Sequence, residues 1–161
     1  MNQIVESFIS QYGYFSVFIL MAIESTIFPL PSEIVLGIAS IFIKKNILNF
    51  WGVVFSATLG SLFGSIFSYF IGYLIYNVLN KFFSKFSFID LKIQKSEKIL
   101  NKYGILGVFL GRFLPGVRHL ISYPAGFLRL NFVLFCVFTL LGSFLWCLCL
   151  TYLFFKFFTI I

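Results

Sequence analysis

Charged residues divide the chain into apolar stretches of unequal length, and these lengths predict different elements. An α-helix rises about 1.5 Å per residue, so about 20 apolar residues are needed to cross a hydrocarbon layer about 30 Å thick. Two stretches are long enough, and we expect transmembrane helices at about 50–79 and 131–157. Three other stretches would reach only about halfway across, and these are 34–43, 103–111 and 119–128.

The half-length stretches adjoin prolines and charges, which predicts helical hairpins that enter a membrane and return to the same side. The first hairpin would cover about 8–43 and the second about 103–128. Proline lacks a backbone donor and stops a helix, whereas glycine permits a sharp reversal. The residues expected to shape the turns are Pro29, Pro31, Pro115, Gly116, Pro124 and Gly126. Ser32, directly before Glu33, is predicted to be the N-cap of the returning arm.

The two halves of the chain share short matches that occur in the same order. The matched groups are Tyr12-Gly13 with Tyr103-Gly104, Asn49-Phe50 with Asn131-Phe132, and Leu59-Gly60-Ser61 with Leu141-Gly142-Ser143. A lysine-rich connector, 81–102, lies between the halves, and such a segment is typical of the cytoplasmic side. The hairpins would then enter from opposite sides. We therefore predict an all-α integral membrane protein, one domain over 1–161, built as an inverted repeat of two re-entrant helical hairpins, each followed by a transmembrane helix.

Small residues recur every four positions on the first long helix. They are Ser56, Gly60, Gly64, Ser68 and Gly72. This spacing lets two helix backbones approach closely in lipid, and we interpret the stripe as a packing surface rather than a substrate site. Its partner could be the hairpins or a second copy of the chain. Gly107 and Gly111 suggest a similar role in the second hairpin.

Four charged side chains fall at the predicted membrane depth, namely Glu24, Glu33, Arg112 and Arg118. A charge at a helix centre costs about 2.5–3.5 kcal/mol on insertion scales, so these side chains must pair, lose their charge or face water. The acids lie in one hairpin and the arginines in the other, which predicts pairing between the hairpins. One interpretation is an ion-pair clamp. The other is a polar chamber in which the arginines bind a phosphate group and a carboxylate carries a proton.

The composition supports a membrane protein and excludes several other classes. The chain is 60% hydrophobic and only 11% charged, too little charge for a surface that faces water. The net charge of +7 does not indicate nucleic-acid binding, because six lysines are concentrated in the connector. We find no nucleophile–base pair, no metal-ligand spacing and no phosphate-cradling glycine loop. We therefore predict no enzyme activity, no metal and no cofactor, and we interpret Cys136, Cys147 and Cys149 as buried packing residues of a membrane helix.

Two motifs carry a resemblance to a known family. Glu24-Ser-Thr-Ile-Phe-Pro29-Leu-Pro31-Ser32-Glu33 resembles the first signature of the DedA family, also called the SNARE-associated Golgi or VTT domain family. Gly111-Arg112-Phe113-Leu-Pro115-Gly116-Val-Arg118, followed by Pro124-Ala125-Gly126, resembles the second. The resemblance covers roughly 10–155. It implies a multi-pass protein of the inner (plasma) membrane that translocates lipid, in bacteria most notably undecaprenyl phosphate. The residues that it implies for function are Glu24, Glu33, Arg112 and Arg118, with glutamate at position 33 where aspartate is common.

The resemblance and the charges together predict a proton-linked flippase of a polyprenyl phosphate or a related phospholipid, with that lipid and protons as its partners. A small proton- or cation-coupled solute transporter, involved in membrane potential or pH homeostasis, stays open as an alternative. So does a structural membrane protein without transport. Many bacterial relatives continue into a further C-terminal helix, whereas this chain ends at Ile161. Self-association into a homo-oligomer is therefore a further expectation.

Overall fold

The computed structural model describes residues 2–26, 31–83, 104, 106–113, 118 and 121–160. The helices assigned within these ranges are α1 (Asn2–Tyr12), α2 (Tyr14–Glu24), α3 (Ser32–Lys44), α4 (Phe50–Phe83), α5 (Ser122–Phe127) and α6 (Phe132–Ile160). A further helical stretch covers 106–111. The described residues contain no strand, which confirms the all-α prediction. Pro29, Pro115, Gly116 and the connector from residue 84 onwards lie outside the described residues.

The two long helices occur where the apolar stretches predicted them. Their spans Phe50–Tyr76 and Phe132–Phe158 are long and apolar enough to cross a membrane. Each span has 27 residues, or about 40 Å of helix. α4 continues to Phe83, so it includes the first three residues of the predicted connector. Lysine and phenylalanine do not break a helix, which is why the polar composition of this region did not mark its end.

α2 lies along α4, and the two helices run in the same direction. The backbone of α4 at Gly60 approaches the carbonyl group of Phe18 so closely that a Cβ atom there would overlap it. One turn further along both helices, Gly64 approaches the carbonyl group of Ala22 in the same way. Since the contact moves forward by four residues in both helices, α2 and the first half of α4 are parallel neighbours.

α6 runs antiparallel to α4. Phe50, at the start of α4, contacts Phe155 near the end of α6, with ring centroids 6.3 Å apart. Tyr69, later in α4, contacts Phe135 near the start of α6, with centroids 4.9 Å apart. The two candidate membrane spans therefore lie side by side in opposite directions.

α3 follows the second half of α6, which makes α2 and α3 a helical hairpin. Ser40 Oγ donates to the Thr151 carbonyl group at 3.4 Å, and Lys44 donates to the carbonyl group of Phe158. α3 thus runs in the direction of α6, whereas α2 runs in the direction of α4. Since α4 and α6 are antiparallel, α2 and α3 are antiparallel as well.

The turn of this first hairpin lies beside the middle of α4. Ser25, directly after α2, forms a hydrogen bond of 3.0 Å between its hydroxyl group and that of Ser61. The carbonyl group of Ser25 accepts a hydrogen bond of 2.9 Å from Ser68 Oγ. Both partners lie near the centre of the Phe50–Tyr76 span. The hairpin therefore reaches about halfway along the span and then turns back.

The second half of the molecule packs against the other end of α4. Gly72 approaches the carbonyl group of Tyr123 in α5, and Gly126 approaches the carbonyl group of Tyr69. The Tyr123 hydroxyl group also donates to the carbonyl group of Thr26 at 2.9 Å. This bond joins α5 to the turn of the first hairpin.

The residues matched between the two halves occupy related places. Asn49 directly precedes α4 and Asn131 directly precedes α6, and the carbonyl group of each accepts a hydrogen bond from the residue four positions later. The matched serines Ser61 and Ser143 contact each other, with hydroxyl oxygens 3.2 Å apart. These contacts support the internal repeat that the sequence suggested.

The first hairpin differs in detail from the sequence prediction. Pro31, and not Ser32, is the N-cap of α3, and Ser32 is the first helical residue, so the prediction of a serine cap was wrong. Pro31 has φ −68°, which its ring favours, and an extended ψ of 111°, so the helix begins one residue later. An unexpected break separates α1 from α2 at Gly13, whose φ of 56° favours glycine.

Apolar side chains form buried clusters inside the molecule and also cover part of its outer surface. One buried cluster surrounds the first hairpin and includes Met21, Leu36 and Val53. Another surrounds α5 and includes Val108 and Phe135. Large apolar side chains remain exposed along α4 at Phe55, Leu59, Phe63, Phe67, Phe70 and Leu74. An apolar face of this length is typical of a helix in contact with lipid.

Candidate functional site: a buried arginine cluster

The end of α2 is held by an ion pair. Glu24, the last residue of α2, has no exposed surface, and Arg118 is 8% exposed. Arg118 Nη2 forms a salt bridge with Glu24 Oε1. A charge buried in this way is costly unless a partner compensates it. The contact therefore ties the first hairpin to the segment that contains Arg118.

Arg112 is buried as well, but hydroxyl groups bind it rather than a carboxylate. Its Nη2 group donates to Ser122 Oγ at 3.1 Å and to Thr139 Oγ1 at 3.2 Å. The stem of its side chain lies against Gly142, where a Cβ atom would be 3.0 Å from Arg112 Cβ. The glycine matched to Gly60 in the repeat thus makes room for an arginine at the centre of the molecule.

Glu33 lies apart from these side chains. It is half-buried in the first turn of α3, where the positive end of the helix dipole favours an acid. Among the described residues the structure forms one ion pair, Glu24 with Arg118, instead of the two suggested by the charges. The hydroxyl groups of α5 and α6 take the place of an acid beside Arg112.

A small cavity lies beside both arginines. It is lined by Ser25, Ser61, Ser143, Arg112, Arg118 and Trp146, together with the thiol-bearing Cys147. Its volume is about 10 Å³, which is about enough for one water molecule. Ser25, Ser61 and Ser143 form a chain of hydroxyl contacts along it. A phosphate group does not fit this cavity, so binding one requires the cavity to widen.

Trp146 and the three serines were not identified from the sequence. The Arg118 guanidinium carbon lies 5.1 Å from the centre of the Trp146 ring, a distance typical of a cation–π contact. One signal was available, because Ser61 and Ser143 belong to the matched Leu-Gly-Ser groups. Trp146 lies one helical turn after Ser143. No local pattern marks it, since only the packing of α6 turns it towards the arginines.

The cluster carries an excess of positive charge. Two guanidinium groups, Arg112 and Arg118, line the cavity, and within the described residues one carboxylate, Glu24, pairs with one of them. Because the dielectric constant of a protein interior is low, this excess of positive charge attracts an anion more strongly than it would in water. Arginine also presents several donors in a fixed plane that suits phosphate oxygens. The arrangement can therefore bind an oxyanion.

Most of the other residues predicted from the sequence lie at helix–helix contacts or near helix ends. Pro124 lies in the first turn of the short helix α5, where proline is tolerated. Gly60, Gly64 and Ser68 face α2 or its turn, and Gly72 faces α5. A Cβ atom at Gly107 would meet nothing within 4 Å, so this residue makes no close contact with the described part of the chain, and packing against a second copy stays a prediction.

The cysteines do not all follow their prediction, and the described residues hold no metal cluster. All three cysteines are free. Cys147 is buried and Cys136 is partly buried, but Cys149 is exposed, because the outer face of α6 is not covered by protein. Within the described ranges, no group of three or more His, Cys, Asp or Glu side chains could hold a metal ion.

The fold and the site define a helical membrane protein with a charged cluster buried between two broken helical segments. The chain belongs to the VTT domain family, also known as the DedA family, whose domain matches residues 30–156. This confirms the resemblance seen in the two proline-containing motifs. No solved structure matches the chain.

Several curated proteins are similar over most of the chain. Undecaprenyl phosphate transporter A of Staphylococcus aureus is 36% identical over 151 residues, which cover 91% of this chain and 74% of the relative. A protein of the same name in Bacillus subtilis is 34% identical over 148 residues, covering 91% of this chain and 73% of the relative. A Lactococcus lactis protein named alkaline phosphatase-like protein is 35% identical over 152 residues, covering 91% and 71%.

Proposed function

We propose that this protein transports an anionic lipid carrier of the polyprenyl phosphate type, such as undecaprenyl phosphate, across the plasma membrane. The observation that carries the proposal is the buried cluster of two arginines and one carboxylate where the two hairpins meet. Two relatives named undecaprenyl phosphate transporter A support the class of lipid. A related phospholipid would present the same phosphate chemistry.

The hairpins are proposed to be re-entrant, one from each side of the membrane. The first turns beside the middle of α4, at Ser25, rather than crossing with it. The second half packs against the opposite end of α4 through Gly72 and Gly126. These contacts support an inverted repeat with its site near the midplane. A phosphate headgroup would pass through this site while its apolar tail stays in the surrounding lipid.

The phosphate group is proposed to bind to Arg112 and Arg118. Both side chains line the same cavity, and the chain of serine hydroxyl groups beside them can donate one further hydrogen bond. Arg112 is already bonded by one nitrogen to Ser122 and Thr139, which fixes the plane of its guanidinium group. A fixed plane lowers the entropy lost on binding. Arg112 therefore keeps its position and donates hydrogen bonds to the phosphate group.

Competition for Arg118 provides the proposed link to protons. The carboxylate of Glu24 and a phosphate group are both anions that require the same guanidinium group. When Glu24 accepts a proton, Arg118 becomes available to the phosphate. When the proton leaves, the ion pair forms again and displaces the phosphate. The coupling must be reciprocal, since phosphate binding then also favours protonation of Glu24. Glu33, half-buried in the same hairpin, is proposed as a second proton-coupling residue.

Transport rates in vesicles test this proposal. The protein is reconstituted, and the crossing of a polyprenyl phosphate is followed with and without a proton gradient. Arg118→Ala should reduce crossing at least about tenfold, the loss of one charge-assisted hydrogen bond. Glu24→Gln should make crossing less sensitive to the gradient, and Glu24→Gln combined with Glu33→Gln should make any remaining crossing insensitive to it. Arg129→Ala is the matched control, because Arg129 stacks on Tyr76 and does not line the cavity. Variants as fast as wild type would contradict the mechanism.

A small proton- or cation-coupled solute transporter is the second candidate. The volume of the cavity favours it, since the closed site accommodates about one water molecule. The same vesicles separate the two functions. A proton gradient that drives uptake of a small anion, with no crossing of lipid, would support the solute transporter and contradict the lipid carrier.

A further inference from the structure

Two buried N–H groups beside the cavity have no acceptor in the protein. Arg112 Nε and Trp146 Nε1 are both inaccessible and both lack a hydrogen-bond partner. Leaving a buried donor unsatisfied costs about 1–3 kcal/mol, and native proteins contain few such groups. Both side chains line the same cavity. The acceptor of these two donors therefore comes from outside the protein, and the cavity as it stands has room for one water molecule. In a wider cavity, a ligand that supplies acceptor atoms would replace that water.

The side chains around the cavity define what this ligand is. Among the described residues, the lining offers two guanidinium groups, three hydroxyl groups, an indole and a thiol, and the Glu24 carboxylate reaches it only through its ion pair with Arg118. An indole N–H group donates and cannot accept, and a guanidinium group behaves in the same way. A cation or a pure donor would leave these groups unsatisfied. An oxyanion, with several lone pairs, satisfies them together.

We propose that Trp146 is a ligand-binding residue, and that its indole N–H and the Nε–H of Arg112 donate to oxygens of one oxyanion when this cavity widens to admit it. The identity of that oxyanion as a lipid phosphate rests on the proposed function, whereas the site itself does not. Free phosphate presents the same chemistry. The chain of three serine hydroxyl groups uses two of its hydrogens internally and can donate one further hydrogen bond.

Trp146 has a second role that follows from the geometry. The Arg118 guanidinium group lies over its ring at 5.1 Å while also pairing with Glu24. The ring face therefore supports Arg118 and keeps it beside the cavity when Glu24 releases it. The two roles are separable by substitution. Trp146→Phe removes the N–H donor and keeps an aromatic face, whereas Trp146→Leu removes both.

Tryptophan fluorescence tests the N–H contact without altering Trp146. The chain has two tryptophans, and Trp51 is 53% exposed near the start of α4, away from the cavity. In the Trp51→Phe variant, all of the tryptophan emission therefore comes from Trp146. Purified in detergent, it is titrated with inorganic phosphate, with a short-chain polyprenyl phosphate and with the corresponding polyprenol. A saturable change in emission is expected with a phosphate-bearing probe and none with the alcohol.

Calorimetric titration of Trp146→Phe then measures what the N–H group contributes. A hydrogen bond to a charged acceptor contributes about 1.5–3 kcal/mol, so the affinity for the phosphate-bearing probe should fall about 10- to 100-fold. Trp146→Leu should weaken binding further, because Arg118 loses its aromatic support. Trp51→Phe should bind as wild type does.

The outcomes distinguish this inference from the proposed function. If inorganic phosphate and the lipid phosphate both change the emission, the phosphate group itself is the ligand; if only the lipid does, the tail is needed as well. Either result supports the site. If wild type transports lipid phosphate but Trp146 emission and Trp146→Phe affinity are unchanged, this inference fails and the proposed function stands. If phosphate changes the emission but no lipid crosses, the site stands and lipid transport fails. If nothing binds, both fail.

Discussion

Arg118 contacts two side chains of different character, the carboxylate of Glu24 and the ring of Trp146. The carboxylate compensates its charge, and the ring accepts the cation over its face. Arg112 has neither contact and is held by hydroxyl groups. The two arginines are therefore not equivalent. One can change partner when a proton or an anion arrives, and the other keeps its position.

Exchanging the two residues of the ion pair tests whether the pair is only a structural clamp or is part of a binding site. Arg118→Glu alone should destabilise the protein by about 3–5 kcal/mol, because it buries two acids without compensation. The exchange Glu24→Arg with Arg118→Glu should recover most of this loss, as measured by unfolding in detergent. Transport should stay lost, since the new acid lies in the same cavity as Arg112. An exchanged variant with full transport would show that ion pairing alone suffices.

Arg112→Lys tests whether this position needs charge or geometry. Lysine keeps the charge but loses the planar donor set and the Nε–H group. We expect transport to fall about tenfold or more, the equivalent of about one charge-assisted hydrogen bond, with little change in the amount of folded protein. Arg129→Lys is the matched control outside the cavity. Equal transport by Arg112→Lys and wild type would mean that only the charge matters.

At the scale of elements, the small residues of α4 determine where the hairpins pack. Gly60 and Gly64 admit the backbone of α2, and Gly72 admits that of α5. The stripe is therefore occupied within the chain. The alternative in which it binds a second copy would require α2 or α5 to move away. A homo-oligomer, if it forms, would use another surface.

Two glycine substitutions show whether close approach of helices is needed. Gly72→Ala should strongly reduce the yield of folded protein, because its Cβ atom would overlap the carbonyl group of Tyr123. Gly107→Ala is the matched control. A Cβ atom there would meet nothing within 4 Å, and alanine favours a helix over glycine by up to about 1 kcal/mol. Size-exclusion profiles and thermal unfolding in detergent report both effects. An unchanged Gly72→Ala protein would exclude the proposed packing.

At the scale of the whole molecule, the structure is a closed state. The end of α2 is joined to Arg118 by the Glu24–Arg118 ion pair, and the cavity beside it holds about one water molecule. α4 and α6 close it from the side through the contact between Ser61 and Ser143. Any ligand as large as a phosphate must enter a different arrangement of these elements. Transport therefore requires α4, α6 and the hairpins to separate.

A disulfide between α4 and α6 should prevent that separation. Cysteines at Ser61 and Ser143 replace hydroxyl groups that are 3.2 Å apart, so a disulfide needs little movement. The native cysteines are replaced by alanine to avoid other pairings. Oxidation should lower lipid crossing at least tenfold, and reduction should restore it. Each single cysteine variant is the control for oxidation itself. Equal rates in the oxidised and reduced double variant would show that this contact need not open.

Much of the architecture followed from local pattern. The long apolar stretches predicted α4 and α6, and the prolines and charges between residues 24 and 33 predicted the break between α2 and α3. The cost of burying charge also singled out Glu24, Arg112 and Arg118 before any contact was known. The predicted serine cap of α3 was wrong, because the backbone at Pro31 starts the helix one residue after the position that the local signal indicated.

The sequence by itself determined which segments are helical and which charges are too costly to face lipid, because both depend on the composition of a few turns of chain. Only the tertiary structure decided that Glu24 pairs with Arg118, that Arg112 is held by hydroxyl groups, and that Trp146 completes the cavity. These contacts join residues far apart in the chain. The sequence is compatible with several pairings of these side chains. The pairing that forms depends on how closely the helix backbones pack, and glycines such as Gly60 and Gly142 determine that distance.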